Sequence, residues 1–233
     1  MSRVRTVLVL LFLVCLIAVA VPLFLVSALF RCREPLIVYG KGGLKIAQFL
    51  LGIRVAVEGH GKLEPKTAYV FMPNHLSLLD GPLLVMVIPQ RVRVIMKKTI
   101  FRIPVGGPAM RFVGFVPVDR KKAMGGKQSI DTASALMRGR GYSFLIFPEG
   151  TRSRDGNMLP LRRGGFFLAL ESGAPIVPVT IRGTFELMPK GQWHARGGPI
   201  RVVFHEPVPV SGHTAETMPA LMEKVRAAIA AKG

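Results

Sequence analysis

Cysteine and acid are scarce in this 233-residue chain, which has two Cys and 13 Asp and Glu against 32 Lys and Arg. Cys15 lies inside an apolar run and Cys32 just past its end, with no partner at metal-ligand spacing, so neither a disulfide framework nor a thiolate metal centre follows. Cys32 is left as an unmodified thiol or a site of lipidation beside the membrane. The shortage of acid leaves a formal charge of +19, nearly all of it after the apolar run, since only Arg3 and Arg5 precede it. Such a field draws anionic lipid surfaces, nucleic acids and phosphorylated or CoA-bearing ligands alike. Signature motifs are missing as well. G-x-S-x-G, H-E-x-x-H, a Walker loop, G-x-G-x-x-G after a strand and paired Cys/His zinc spacing are all absent, which removes the common hydrolase, zinc-protease, nucleotide-hydrolase and dinucleotide classes. There is no internal repeat and no low-complexity linker.

What is present begins with length and apolarity. From Val7 to Phe30 there is no charge, and as a helix this stretch would extend roughly 36 Å, enough to cross a hydrocarbon core of about 30 Å with tilt. Pro22 is tolerable there. Ala18-Val19-Ala20 imitates a signal-peptide cleavage site, yet apolarity continues past it, which favours an uncleaved anchor. Arg31, Arg33, Lys41 and Lys45 outnumber Arg3 and Arg5 and place the C-terminal part on the cytoplasmic side of the cell membrane. Leu44 to Val57 has the spacing of an amphipathic helix, either on the leaflet or in the core. The division expected is 1–57 as a membrane-anchoring region (apolar helix 7–30, amphipathic segment 44–57) and 58–233 as the catalytic domain.

Beyond Val55 short apolar runs alternate with helical stretches. Strands are expected at 68–72, 92–96, 112–118, 143–147, 176–181 and 200–204, and helices at 81–88, 127–138, 166–170 and 215–232. Pro117 demotes the end of its strand to an edge. The fold class implied is α/β, a mixed, largely parallel sheet flanked by helices and preceded by an N-terminal membrane helix.

Two stretches carry chemistry. In Asn74-His75-Leu76-Ser77-Leu78-Leu79-Asp80, five residues on a regular helix rotate by about 500°, so His75 and Asp80 meet only if His75 precedes the helix. Pro73-Asn74 breaks the strand, and Ser77 to Asp80 has the form of a capping box with Asp in place of Glu. Asp80 one turn in would hold Nδ1–H of His75 and leave Nε2 to accept a proton, a base with its orienter but no nucleophile. The bland alternative is a helix-capping acid beside a packed His. In Phe147-Pro148-Glu149-Gly150-Thr151-Arg152, after the strand at 143–147, Gly150 permits a sharp turn, Thr151 offers a hydroxyl and Arg152 can grip phosphate. Glu149 among so many arginines is expected to organise the guanidiniums.

Asn-His-x-x-x-x-Asp followed by Pro-Glu-Gly-Thr-Arg resembles the glycerolipid acyltransferases, in particular the 1-acylglycerol-3-phosphate acyltransferases. Gly114-Phe115-Val116-Pro117-Val118-Asp119-Arg120 is similar to that family's second block, although Pro117 stands where many members have an aromatic residue. Ala174-Pro175-Ile176-Val177-Pro178-Val179 is similar to its fourth block, and Lys97-Lys98 before Ile103-Pro104 to a basic pair. The resemblance covers Tyr69 to Ile181. It implies an acyltransferase domain in which His75 deprotonates the free hydroxyl of a lysophospholipid as that oxygen attacks an acyl thioester, with Asp80 fixing the imidazole. It further implies that Arg120, Glu149, Gly150, Thr151 and Arg152 bind the glycerophosphate with help from Lys98. No metal or cofactor is expected, acyl-CoA or acyl carrier protein being the donor substrate, and the bilayer is the remaining partner. Other acceptors (glycerol phosphate, another lysophospholipid, a lyso-aminolipid) would fit the same chemistry. A non-catalytic basic lipid-binding protein is the rival from another class. The basic residues gather at turns rather than interleaving with aromatics along one face, which argues against nucleic acid.

Overall fold

The uncharged stretch that opens the chain folds as one long helix, α1 (Ser2–Leu29), with Pro22 inside it. The computed structural model describes residues 2–119 and 123–231. Among these, α1 is the one helix long and apolar enough to cross a membrane, with a mean hydropathy of 3.2 over its most apolar window. It turns back into α2 (Glu34–Leu51), whose first turn carries Pro35, a residue with no N–H to lose at that position. Gly52, at φ 70°, ends α2 in the left-handed conformation that a side chain would resist.

The segment expected to be helical through Val57 is therefore helical only to Leu51, and Ile53–Glu58 forms strand β1. Ile53, Val55 and Val57 alternate with polar or small residues, and that period of two belongs to a strand. β1 also runs across position 57, where the anchoring region was expected to end.

Six more strands follow: β2 (Val70–Pro73), β3 (Val92–Lys97), β4 (Val116–Val118), β5 (Ser143–Leu145), β6 (Ile176–Arg182) and β7 (Gly198–Phe204). They form one sheet in the order β1-β7-β6-β2-β5-β3-β4. β6, β2, β5, β3 and β4 are mutually parallel, while β7 is antiparallel to β6 and β1 parallel to β7. The expected α/β architecture, a mixed and largely parallel sheet flanked by helices, is what the chain adopts. The connecting helices are α3 (Asp80–Val87), α4 (Gly106–Phe112), α5 (Ala123–Arg140), α6 (Gly164–Ser172), α7 (Thr184–Leu187) and α8 (Met218–Ala230). The strand expected at 112–118 shrinks to β4, because Phe112 closes α4 and Gly114, at φ 94°, turns the chain before Val116. Pro117 does sit on an edge strand, where its missing N–H costs no ladder bond.

Each face of the sheet buries its own apolar layer. On central β2 the side chains alternate: Phe71 points into the layer shared with α1, α2 and α3, whereas Val70 and Met72 join the layer under α5, α6 and α8. All three are fully buried, each worth about 1.5–3 kcal/mol relative to exposure. α1 belongs to this packing. Val9 is in the core, Thr6 Oγ1 accepts the N–H of Ala195 (3.2 Å), and Phe24 meets Phe112 edge-to-face at 5.6 Å. The helix thus lies along the domain, with one side packed and the other apolar and exposed.

Candidate active site

β2 and β5 are parallel neighbours, with Phe71 opposite Leu145. His75 and Glu149 each lie four residues beyond that pair, so register alone brings them side by side at the carboxyl ends of the strands. That edge is where open parallel sheets gather ligands. The backbone N–H of His75 donates to Glu149 Oε1 at 2.7 Å, and Leu159 N–H donates to Oε2 at 2.8 Å. Glu149 is 2 % exposed. Burial pushes its pKa above the usual carboxylate range and the nearby Asp80 charge adds to this, against the lowering effect of the two amides. Its carboxylate is thus given to backbone donors and not to the arginines it was expected to organise.

His75 stands on the turn before α3, as its spacing from Asp80 requires. Asp80 is fully buried, and its Oδ2 accepts from His75 Nδ1–H (2.9 Å), Leu76 N–H (2.7 Å) and Ser77 N–H (2.7 Å). A carboxylate that only accepts fixes the proton on Nδ1 and leaves the Nε2 lone pair free. The imidazole is 19 % exposed and stacks on Phe147 with centroids 3.8 Å apart, so it is held from two sides and open on a third.

The capping box forms only in part. Asp80 does take the Ser77 N–H, but Ser77 Oγ donates to the carbonyl of Met188 (2.7 Å) and accepts Leu79 N–H (3.2 Å). Helix α3 starts at Asp80 itself, so that residue is too early to be the third residue of the box. Buried Ser77 has its O–H committed and is no nucleophile.

Gly150, at φ 72° in the left-handed region, makes the sharp turn after β5, and a Cβ there would come within 2.9 Å of the Arg162 side chain. Thr151 is exposed and Arg152 half-buried on the loop that follows. Lys190 Nζ donates to Thr151 Oγ1 (3.1 Å) and to the Arg152 carbonyl (3.0 Å), tying the loop to the segment after α7. The Arg152 guanidinium makes no ion pair among the described residues. Glu149, Gly150, Thr151 and Arg152 are therefore brought together beside His75. Lys98 lies apart, lining a depression of about 970 Å³ with Arg111, Asp119 and Lys127. Arg120 lies outside the described residues.

Two residues escaped the sequence reading. One is Lys190. The other is Asn74, buried, whose amide donates to the Ile181 carbonyl (2.9 Å) and whose Oδ1 accepts the Ile181 N–H (2.7 Å). It continues the β2–β6 ladder with a side chain and so fixes where His75 begins. An Asn directly after a strand-ending Pro was the available signal for it.

Two apolar chambers lie beside this turn and the start of α3. The larger, about 400 Å³, lies between α1, α2, α3, β3 and α4, with Gly40, Gly81, Met96 and Met110 in its wall. The smaller, about 270 Å³, lies between the first half of α1, the second half of α2 and α3, and takes in Leu78, Leu79, Met188 and Trp193.

Against known proteins, the acyltransferase family model matches residues 54–182. The human 1-acyl-sn-glycerol-3-phosphate acyltransferase alpha is 32 % identical over 179 residues, 77 % of this chain and 63 % of the human protein. A chloroplastic 1-acyl-sn-glycerol-3-phosphate acyltransferase of Brassica napus is 39 % identical over 143 residues, 61 % of this chain and 41 % of that protein. The chain thus spans less than two thirds of these relatives. The crystal structure of the 1-acyl-sn-glycerophosphate (LPA) acyltransferase PlsC from Thermotoga maritima superposes with a TM-score of 0.77 at 25 % identity, covering 100 % of both chains.

Proposed function

We propose that this chain, which belongs to the acyltransferase family, moves a fatty acyl group from an acyl thioester to the free hydroxyl of 1-acylglycerol-3-phosphate, giving phosphatidic acid. The observation that carries the reading is the His75–Asp80 pair, with Nε2 free, Asp80 buried and the nearby Ser77 hydroxyl committed elsewhere. Such a base needs its nucleophile from the substrate.

Nε2 takes the hydroxyl proton as the oxygen attacks the thioester carbonyl. The C–O bond forms, the tetrahedral intermediate expels thiolate, and the imidazolium returns the proton to sulfur. Asp80 stabilises that imidazolium across 2.9 Å. Positioned base catalysis is typically worth about 10²–10⁴-fold. Thr151 and Arg152, held by Lys190, face the acceptor phosphate, and Gly150 shapes their turn. The larger chamber takes the donor acyl chain, with acyl-CoA or acyl carrier protein as the thioester carrier. Lys98 and Arg111 lend positive charge to the depression beside β4, apart from the Thr151–Arg152 loop.

The α1–α2 hairpin is the membrane-anchoring region, on the cytoplasmic face of the cell membrane. Packing of Thr6 and Val9 against the domain supports retention of the segment before Ala18-Val19-Ala20. The test is transfer from acyl-CoA to lysophosphatidate by membranes containing His75→Ala, where a loss of at least about 10²-fold in turnover with normal expression is expected. Undiminished turnover would remove His75 as the base.

A further inference from the structure

The proposed reaction joins two lipids, each with its own hydrocarbon chain, and the turn that carries His75 is flanked by two apolar chambers. Their linings share only Leu44 of α2 and Pro82 of α3, which stand as a partition. The smaller reaches the catalytic turn itself through Leu78 and Leu79, the larger the first turn of α3 that follows it through Gly81. We propose that the smaller chamber holds the acyl chain already present on the acceptor, so that lysophosphatidate is bound by tail and phosphate together. The proposal rests on the reading above.

Geometry assigns the tail to this chamber and not to the other. Met188 lines it, and the Met188 carbonyl is fastened to Ser77 of the catalytic turn at 2.7 Å. Two residues on, Lys190 grips Thr151 and the Arg152 carbonyl, so the cationic loop and the chamber meet at one segment. A lipid that presents its phosphate to Arg152 lays its tail over Met188. The interior suits hydrocarbon. No charged side chain lines it, and its two most polar ones are turned to the backbone, Thr6 to Ala195 and Gln48 Nε2 to the Ile53 carbonyl at 3.0 Å. Burial of each methylene is worth roughly fourfold in affinity, so a few methylenes separate lysophosphatidate from glycerol phosphate by orders of magnitude.

Trp193, the one tryptophan in the sequence, lines this chamber at 56 % exposure and so reports on it directly. The full chain in detergent is titrated with long-chain lysophosphatidate, glycerol 3-phosphate and long-chain acyl-CoA, without a second substrate, while tryptophan emission is followed. Saturable change with lysophosphatidate alone is expected, and Ala47→Leu, which narrows the chamber, should raise the half-saturating concentration about tenfold for long tails and little for short ones. Gly40→Leu, where an added Cβ meets no atom within 4 Å, narrows the larger chamber with the rest of its side chain and should leave this titration as in wild type.

Emission that ignores lysophosphatidate, or that answers acyl-CoA equally, overturns the assignment. So does an Ala47→Leu chain that saturates normally with long tails while Gly40→Leu does not. Because the readout is binding, it separates from the proposed reaction. A saturable Trp193 response from a chain without transferase activity would keep the chamber and sink the reaction, and the converse would do the reverse.

Discussion

Asp80→Asn separates the charge of this carboxylate from its shape. All three donors converge on one oxygen, Oδ2, so an amide oxygen in the same place retains His75 Nδ1–H, Leu76 N–H and Ser77 N–H. The amide nitrogen then occupies the site of Oδ1, a buried atom with no hydrogen-bond partner among the described residues. The imidazole keeps its tautomer and orientation and loses the anion beside it. For unit charges about 4 Å apart at an effective dielectric of about 20, that anion is worth about 4 kcal/mol to a fully formed imidazolium. Proton transfer that is partial in the transition state realises part of this, which places the expected fall in turnover at about 10²–10³-fold. The buried NH₂ with no acceptor costs about 1–3 kcal/mol of stability, so the thermal midpoint should drop as well. Asp80→Ala should do worse on both counts, because three donors lose their acceptor. Thiol release from acyl-CoA at saturating lysophosphatidate, with circular dichroism on the same preparation, reads both effects. Turnover of Asp80→Asn within about twofold of wild type, under about 0.5 kcal/mol, would refute an imidazolium developing against this carboxylate.

Glu149→Gln retains one acceptor oxygen for two backbone amides and should cost about 1–3 kcal/mol of stability, with lower turnover through the displaced His75 backbone. Its pH dependence has a definite sign. Burial raises the folded-state pKa of Glu149 above the ordinary 4.5, so its contribution is full below that value and is lost as pH rises through the folded one. The stability gap between wild type and Glu149→Gln should therefore narrow as pH rises from about 4.5, and thermal midpoints that diverge instead would contradict it. Lys190→Ala frees the Thr151–Arg152 loop and should raise KM for the phosphorylated acceptor about tenfold or more while KM for the thioester stays put, checked by initial rates with each substrate varied. Glu34→Gln leaves Arg93, whose side chain is 1 % exposed, without its carboxylate at 2.9 Å. Because Glu34 is 44 % exposed and solvent screens it, the expected loss is about 1–2 kcal/mol in chemical denaturation, less than for a fully buried pair.

The parts of this fold that sequence made legible are those whose information is local. His75 and Asp80 were paired correctly because one turn contains both, and β2, β5 and β6 stand out because strands buried on both faces read as unbroken apolar runs. The failures have physical causes. Ile53 to Val57 satisfies a helical pattern as long as Gly52 is not seen to end α2, and the period of two is short enough to hide. Val116 to Val118 borrowed residues from α4, whose glycine-rich start gives little helical signal. Glu149 was judged by its charged neighbours in sequence, whereas its partners are fixed by β2–β5 register, which composition does not contain. Lys190 reaches the Thr151 loop from beyond β6 and α7, and no spacing rule links them.

The placement of α1 links the proposed membrane attachment to the proposed chemistry. A helix that crosses a bilayer normally leaves its soluble domain behind, yet here contacts run from Thr6 against Ala195 to Phe24 against Phe112, about 27 Å along the helix. If α1 stood across the membrane, the domain surface beside it would stand there too, with Arg111 and Lys41 in hydrocarbon. Lying the hairpin along one leaflet avoids that. Leu11, Val14 and Phe49 are then the exposed side chains that enter lipid, in the manner of an interfacial helix pair. α1 meanwhile walls both chambers, Leu10 and Leu13 the smaller, Leu16 and Ile17 the larger. Under the proposed function, one hairpin thus holds the protein to its lipid and bounds the path by which a chain reaches the His75 turn from the leaflet without crossing water.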